Sequence, residues 1–180
     1  LQESKTALVT LKSFQRGGGY REDGLKPYIG TFKENQVIQP GELIIALTDV
    51  TQAADVIGRP AIVRTSEGRE TLVASLDVGI VRKADHGLLP QAFIYELFRT
   101  ENYVSHALSY TSGTTVLHLA KGVLADFQIV IPPIELIRIF TSLSGSVLNR
   151  IDISSQESRS IQKLRDTLLP RLISGELRVP

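Results

Sequence analysis

The chain has 180 residues, 42% of them hydrophobic and 22% charged, with 20 basic against 19 acidic side chains and no cysteine. Its length suggests one domain with an appendage, or two very small domains, and its composition is that of an ordinary soluble protein that can bury a core without metal or disulfide help. The absence of cysteine excludes a disulfide framework, a zinc–thiolate site and a cysteine nucleophile, and a formal net charge of +1 is not that of a non-specific nucleic-acid binder, which needs a strong basic excess.

In chain order, Ala7 to Leu11 reads as a short apolar strand. Arg16-Gly17-Gly18-Gly19-Tyr20 breaks regular structure after it, because three glycines cost too much backbone entropy inside an element. Gln39-Pro40-Gly41 is a turn leading into Glu42 to Leu47, a continuous apolar run and so a buried strand. Ala61 to Arg64 and Thr71 to Arg82 follow as further strands, with Ser66 to Arg69 as a hairpin turn between them. Pro90 suits the first turn of a helix, in which Ile94, Leu97, Phe98, Val104 and Leu108 keep helical spacing. Thr114 to Leu119 and Phe127 to Ile131 read as two more strands, and Pro132-Pro133 stops the sheet.

From Ile134 the pattern changes. Ile134, Ile137, Phe140, Leu143, Val147, Ile151, Ser154, Ser158, Ile161, Leu164 and Leu168 stand about 3.4 residues apart, close to the ~3.5 of a coiled-coil seam. One helix is predicted from there to Pro170, roughly 37 residues and about 55 Å long, with Gly145 as the place where it bends. Serines in its middle let a partner approach closely. A stripe of this length asks for a partner helix; the plainer alternative is a helix buried in the core of its own chain.

Catalytic constellations are missing. Gly17-Gly18-Gly19 lacks the Gly-Lys-Ser/Thr of a phosphate loop, the dinucleotide fingerprint is absent, and no Gly-x-Ser-x-Gly elbow occurs. His86, His106 and His118 stand alone, with no partner at metal-ligand spacing, and read as ordinary surface or half-buried histidines. Acidic residues are scattered rather than clustered with a lysine, as a metal-dependent nuclease requires. Ile131-Pro132-Pro133-Ile134 lacks the polar residue with which an amino-methyltransferase holds its amino group, and reads as a strand-to-helix junction. These observations argue against an enzyme. What remains is a local basic window, Lys12, Arg16, Arg21, Lys26 and Lys33 against Glu22 and Asp23, which is either a DNA-facing patch or a solvated surface. No apolar run approaches the ~20 residues that span a bilayer and no signal-peptide pattern opens the chain, so a cytoplasmic location without a membrane partner is expected. The lack of methionine makes a fragment of a longer chain the expectation.

The most specific signal lies at the end. Leu164 to Leu177 (Leu-Arg-Asp-Thr-Leu-Leu-Pro-Arg-Leu-Ile-Ser-Gly-Glu-Leu) closely resembles the C-terminal end of the specificity subunits of Type I restriction-modification systems. Thr111 to Leu119 is similar to a Gly-Thr-Thr-Val-x-His-Leu stretch of their recognition domains. Ala46 to Gln52 with Ile57 to Pro60, and Phe127 to Pro133 ahead of a long helix, complete the order. The resemblance implies a subunit with two recognition domains, each followed by a long helix, the two helices packing antiparallel. Each domain reads one half of a bipartite double-stranded DNA target, and the helices measure the spacer between the halves. Modification subunits dock on this scaffold and methylate adenine with S-adenosylmethionine, and a restriction subunit translocates and cuts. For this chain it implies no catalysis, no metal and no cofactor of its own.

The expected fold is therefore α+β: a mixed, β-rich target-recognition domain over 1–133, then one long coiled-coil-forming helix and tail over 134–180. The chain is either the C-terminal half of a full subunit or a half-length subunit that pairs with itself. Candidate DNA-facing residues are Arg16, Tyr20, Arg21, Lys26, Tyr28 and Lys33 in the basic window, Thr48, Thr51, Gln52 and Arg59 after the buried strand, and Ser112, Thr114 and Thr115. Arginine pairs bidentately with guanine, lysine grips phosphate and an amide suits adenine; for Thr48 and Asp49 the rival reading is that they cap a turn. Helix pairing is expected through Val147, Ile151, Ile161, Leu164 and Leu168, with the modification subunit at Leu168 to Leu177. The alternative function is a protein-interaction scaffold of the same architecture that binds no DNA.

Overall fold

Alternation of burial places the first strand: in β1 (Thr6–Val9) Ala7 and Val9 are fully buried while Thr6 and Leu8 are half-buried, as a pleated strand with one inward face requires. We describe the protein through a computed structural model, which describes residues 4–51, 53–66, 68–82 and 89–177. The chain divides into two compact units, Leu1–Pro132 and Pro133–Pro180. It is an α+β protein with β-sheets and one long C-terminal helix.

In the first unit the further strands are β2 (Lys26–Pro27), β3 (Val37–Ile38), β4 (Leu43–Ala46), β5 (Thr48–Asp49), β6 (Pro60–Ile62), β7 (Thr71–Ala74), β8 (Val78–Val81), β9 (Thr111–Ser112) and β10 (Leu117–Leu119). They form a four-stranded sheet of order β2-β1-β7-β3 and two three-stranded sheets, β6-β4-β8 and β5-β10-β9. β1 and β7 run parallel, Thr6 to Val9 beside Thr71 to Ala74, and every other pairing among the named strands is antiparallel. Ala7, Val9, Phe14, Ile38, Ile44, Ala61, Val63 and Leu72 share one core cluster, so the first two sheets are held together by burial rather than by a common ladder.

Several expected elements are cut shorter. The strand predicted over Ala7 to Leu11 ends at Val9, because Thr10 and Ser13 form a reciprocal cap: the Thr10 hydroxyl accepts the Lys12 N–H and the Ser13 hydroxyl accepts the Thr10 N–H, each at 3.3 Å. Thr71 to Arg82 is not one strand but two. A turn closes at Ser75, whose carbonyl accepts the Val78 N–H at 3.1 Å, and sends β7 and β8 into different sheets. The turn before β7 exists, with Arg69 N–H on Ser66 O at 3.3 Å and Gly68 at φ 76°, but Glu67 lies outside the described residues. It makes no hairpin, since β6 and β7 also lie in different sheets.

The helix expected from Pro90 is likewise divided, into α1 (Gln91–Leu97), which follows Pro90, and α2 (Glu101–Ser109). Thr100 causes the break by capping the second helix, its hydroxyl accepting the Tyr103 N–H at 3.3 Å. Tyr103 is fully buried, stacked on Phe98 with centroids 4.3 Å apart and edge-on to Phe127 at 5.1 Å. That packing fixes Phe127 without a strand: Phe127 to Ile131 has no ladder partner among the described residues, and Val130 is exposed.

In the second unit α3 spans Ile134–Ile173, 40 residues, or about 60 Å at 1.5 Å per residue. It starts where predicted: Pro133 O accepts the N–H groups of Leu136 and Ile137 at 3.0 and 3.2 Å. It runs through Gly145 unbroken and does not stop at Pro170. Proline removes its own N–H and crowds the carbonyl four residues back, yet Pro170 lies in the last turns of α3, which continues to Ile173. The stop comes with Gly175 at φ 73°, where Gly175 N–H meets Leu172 O at 3.2 Å and Leu177 N–H meets Arg171 O at 3.0 Å. No helix among the described residues is long and apolar enough to cross a membrane.

Candidate functional site

Three loops carry most of the polar candidates, and the first is the glycine loop. Its neck is a bridge between Phe14 and Tyr20, with Gln15 N–H on Gly19 O at 2.9 Å and Gly18 N–H on Gln15 O at 3.0 Å. Gly18 and Gly19 hold φ values of 105° and 116°, which L side chains rarely adopt, so this turn favours glycine. Tyr20 is buried in the core. Arg16 is at the tip, its side chain 83% exposed and its Nε 3.4 Å from the Asp55 carboxylate. Arg21, half-exposed, binds Asp23 through Nε at 3.0 Å and Nη2 at 2.5 Å. These hydrogen bonds, with the opposite charge, hold the Asp23 carboxyl below its ordinary value.

The second loop joins β5 to β6, and Asp49 organises it. Asp49 is fully buried. Its Oδ1 accepts both the N–H and the hydroxyl of Thr51 at 2.8 Å. Its Oδ2 accepts the N–H groups of Val56 at 2.8 Å and Ile57 at 3.2 Å. Burial alone pushes the Asp49 carboxyl up, but the hydrogen bonds from Val56, Thr51 and Ile57 outweigh it and leave the group below its ordinary value. Ala54 takes up a φ of 51° within the loop. Thr48 is buried and donates its hydroxyl to Asp77 at 2.8 Å. Thr51 and Arg59 are half-buried, and Gln52 lies outside the described residues.

These two loops are tied together. Gly17 N–H donates to Asp55 O at 3.0 Å and Gly19 N–H to Pro60 O at 2.8 Å. Between them opens a cleft of about 430 Å³ lined by Lys12, Arg16, Arg21, Asp49, Thr51 and Val56, among others. Three cations thus face it against Asp23, already engaged by Arg21, and the buried Asp49.

The third loop is the tip of the β9–β10 hairpin. Gly113 has φ 109°, and a Cβ there would meet Val116 O at 2.1 Å, so glycine is required. Ser112, Thr114 and Thr115 are exposed. β10 lies beside β5, with Leu117 opposite Asp49 and His118 between Thr48 and Ser112. The hairpin is therefore the sheet neighbour of the strand that launches the second loop.

The remaining candidates are placed elsewhere. Lys26 is exposed on edge strand β2. Tyr28 is half-buried, its N–H on Thr6 O at 2.9 Å and its hydroxyl on Thr31 O at 2.8 Å. Lys33 is exposed, just before β3, the opposite edge of that sheet. Lys12 was legible only as one charge of the basic window, and Asp55 not at all. Asp49 carried a signal, an aspartate two residues before a loop threonine, which is the spacing of an Asx turn. Of the histidines, His86 lies outside the described residues, His106 Nε2 sits 2.8 Å from Val123 O, and His118 is exposed. No cluster of acidic and histidine side chains that could hold a metal ion occurs among the described residues.

Fold and site together define an α+β protein in which loops from separate sheets gather three cations and the Thr51 hydroxyl around one cleft. No family model matches the chain. It is similar to the Type I restriction enzyme MjaIX specificity subunit of Methanocaldococcus jannaschii, 34% identical over 88 residues, which make up 48% of this chain and 20% of that relative. It is also similar to the Type I restriction enzyme HindI specificity subunit of Haemophilus influenzae, 33% identical over 67 residues, 37% of this chain and 15% of that relative. The matches thus span a fifth or less of the length of these curated relatives, and both are named as Type I specificity subunits.

Proposed function

We propose that this chain is a sequence-reading DNA module of the Type I specificity-subunit kind, non-catalytic itself. Residues 1–133 read one half of a bipartite duplex target, and residues 134–180 provide the helix that sets the spacing to the other half and docks modification subunits, with a restriction subunit joining the complex. The observation that carries the reading is the meeting of Arg16, Arg21, Lys12 and Thr51 around one cleft, in a chain similar to two named specificity subunits. Arginine reads guanine through O6 and N7, and lysine neutralises phosphate. The Ser112 to Thr115 tip, neighbour to the same loop, adds hydroxyl donors and acceptors. A balanced net charge fits this role if partner subunits supply much of the phosphate contact.

The helix supports the reading separately. Val147, Ile151, Ile161, Leu164 and Leu168 are all exposed along α3, at a spacing suited to an antiparallel partner: a second copy, or the helix after the other recognition domain. Selection of bound sites from random duplexes, using the chain with a modification subunit, tests the proposal. Enrichment of a short, salt-sensitive motif is expected. Binding without any sequence preference would overturn it, and no binding at all would overturn it in favour of a scaffold that binds no DNA. The purified chain alone is expected neither to methylate nor to cleave DNA.

A further inference from the structure

Asp49 is fully buried at the base of the cleft, and both its oxygens are occupied by donors from the two ends of one loop: Thr51 N–H and hydroxyl at the start, Val56 and Ile57 N–H at the finish, all within 3.2 Å. One carboxylate therefore closes residues 50–57 upon themselves. Next to the second anchor, Val56, stands Asp55. Its carbonyl accepts the Gly17 N–H at 3.0 Å, and its carboxylate lies 3.4 Å from Arg16 Nε. The chain of contacts runs from a buried group to the most exposed arginine of the cleft.

We propose that Asp49 and Asp55 are positioning residues for Arg16: Asp49 fixes the loop, Asp55 orients the guanidinium, and Arg16 meets a base edge in a geometry already set. This rests on the DNA-reading proposal above. An arginine held before binding loses less rotamer freedom when it docks, which favours the bidentate geometry that distinguishes guanine. The pair is open to solvent and long, so it orients Arg16 without competing strongly with DNA. The Asp55 carboxylate also repels phosphate, which steers Arg16 toward a base rather than the backbone. Asparagine cannot replace Asp49, because its amide nitrogen would face N–H and O–H donors with no lone pair to offer.

The test compares sites selected from random duplexes by the wild-type chain, Arg16→Ala, Asp55→Ala and Asp49→Asn, each with a modification subunit. Arg16→Ala is expected to remove the base preference at one position of the motif. Asp55→Ala and Asp49→Asn are expected to relax that same position by up to about 5-fold, the scale of an exposed ion pair, and to leave the other positions intact. Asp55→Ala is also expected to bind non-target duplex at least as well as wild type, a change that mere loss of stability cannot produce. If Asp49→Asn does not fold, Asp55→Ala, altered at a partly exposed side chain, decides the matter alone. Wild type that selects a motif while Asp55→Ala keeps full preference at the Arg16 position, or relaxes a different one, overturns this inference only. Wild type that selects no motif overturns the DNA-reading proposal and this inference with it.

Discussion

The two units use the same aliphatic residues in opposite ways. In the first, Val9 in β1 and Ile44 in β4 are fully buried, and Leu43, Ile45 and Val73 are nearly so; strands of two to four residues suffice because three sheets share the work. In the second, Leu143, Val147, Ile161 and Leu164 stand exposed on α3. Regular helical hydrogen bonding can hold a helix of this length, but a seam of aliphatic side chains in water gains nothing from burial until something covers it. The first unit thus owes its order to its own packing, while the second leaves these aliphatic side chains exposed.

Substitution at matched residues should expose this contrast most strongly. Ile44→Ala removes fully buried methylenes and is expected to cost about 2–5 kcal/mol. Ile161→Ala, at a side chain 66% exposed, is expected to change stability by less than about 0.5 kcal/mol at dilution where the chain is monomeric. Chemical unfolding of both variants measures it. A large cost for Ile161→Ala in the monomer would mean that the seam is already covered within the chain, and the contrast fails.

Assembly gives the next effect. Ile161→Asp with Leu164→Asp is expected to hold the chain at monomer mass in light scattering where wild type doubles, with the unfolding of the first unit unchanged. Flanking charges, Arg150, Glu157, Arg159 and Lys163, would then set partner orientation. Wild type that stays monomeric at high concentration and without a modification subunit would remove self-pairing and leave the helix of another recognition half as the partner.

Within the first unit the proposed DNA reading sets two kinds of cation apart. Arg16→Ala is expected to lose about 1–3 kcal/mol of discrimination at one base position. Lys12→Ala is expected to weaken all duplexes alike and to reduce the salt slope by about one. Titrations at two salt concentrations against target and scrambled duplex separate them. Equal losses on both duplexes for Arg16→Ala would make it a phosphate contact like Lys12.

Legibility in the sequence divides along the same line as the packing. The helix could be read nearly to its ends because its signals are local and repeat: a proline pair before it and a seam of aliphatics along it. Pro170 misled as a stop, because α3 continues past it to Ile173. In the first unit Glu42 to Leu47 gave its strand through sheer hydrophobicity, but which strands pair is a non-local matter. Nothing local in Ser75-Leu76-Asp77 says that β7 and β8 part company, or in Thr100 that one helix becomes two. The site shows the same limit. Arg16 and Thr51 could be picked as polar loop residues, but not that Asp55 joins their loops, because that contact exists only once Gly17 and Asp55 are brought within 3.0 Å.

The smallest expected effect is one of pH, and it bears on whether the first unit's order extends into its loops. Asp49 is held below its ordinary carboxylate value by the hydrogen bonds that close the 50–57 loop. A group with a depressed folded pKa binds fewer protons folded than unfolded between the two values, so stability rises with pH there. Its contribution is fully present above the unfolded value, ~3.9, and is lost as pH falls below that and through the lower folded value. Amide exchange at Val56 and Ile57 should therefore stay slow down to about pH 4 and quicken below it, beyond the intrinsic acid trend. In Asp49→Asn the same amides should exchange faster at neutral pH and show no such acid step. If the step survives in Asp49→Asn, another carboxylate holds the loop, and the order of the 50–57 loop does not come from the buried group beneath it.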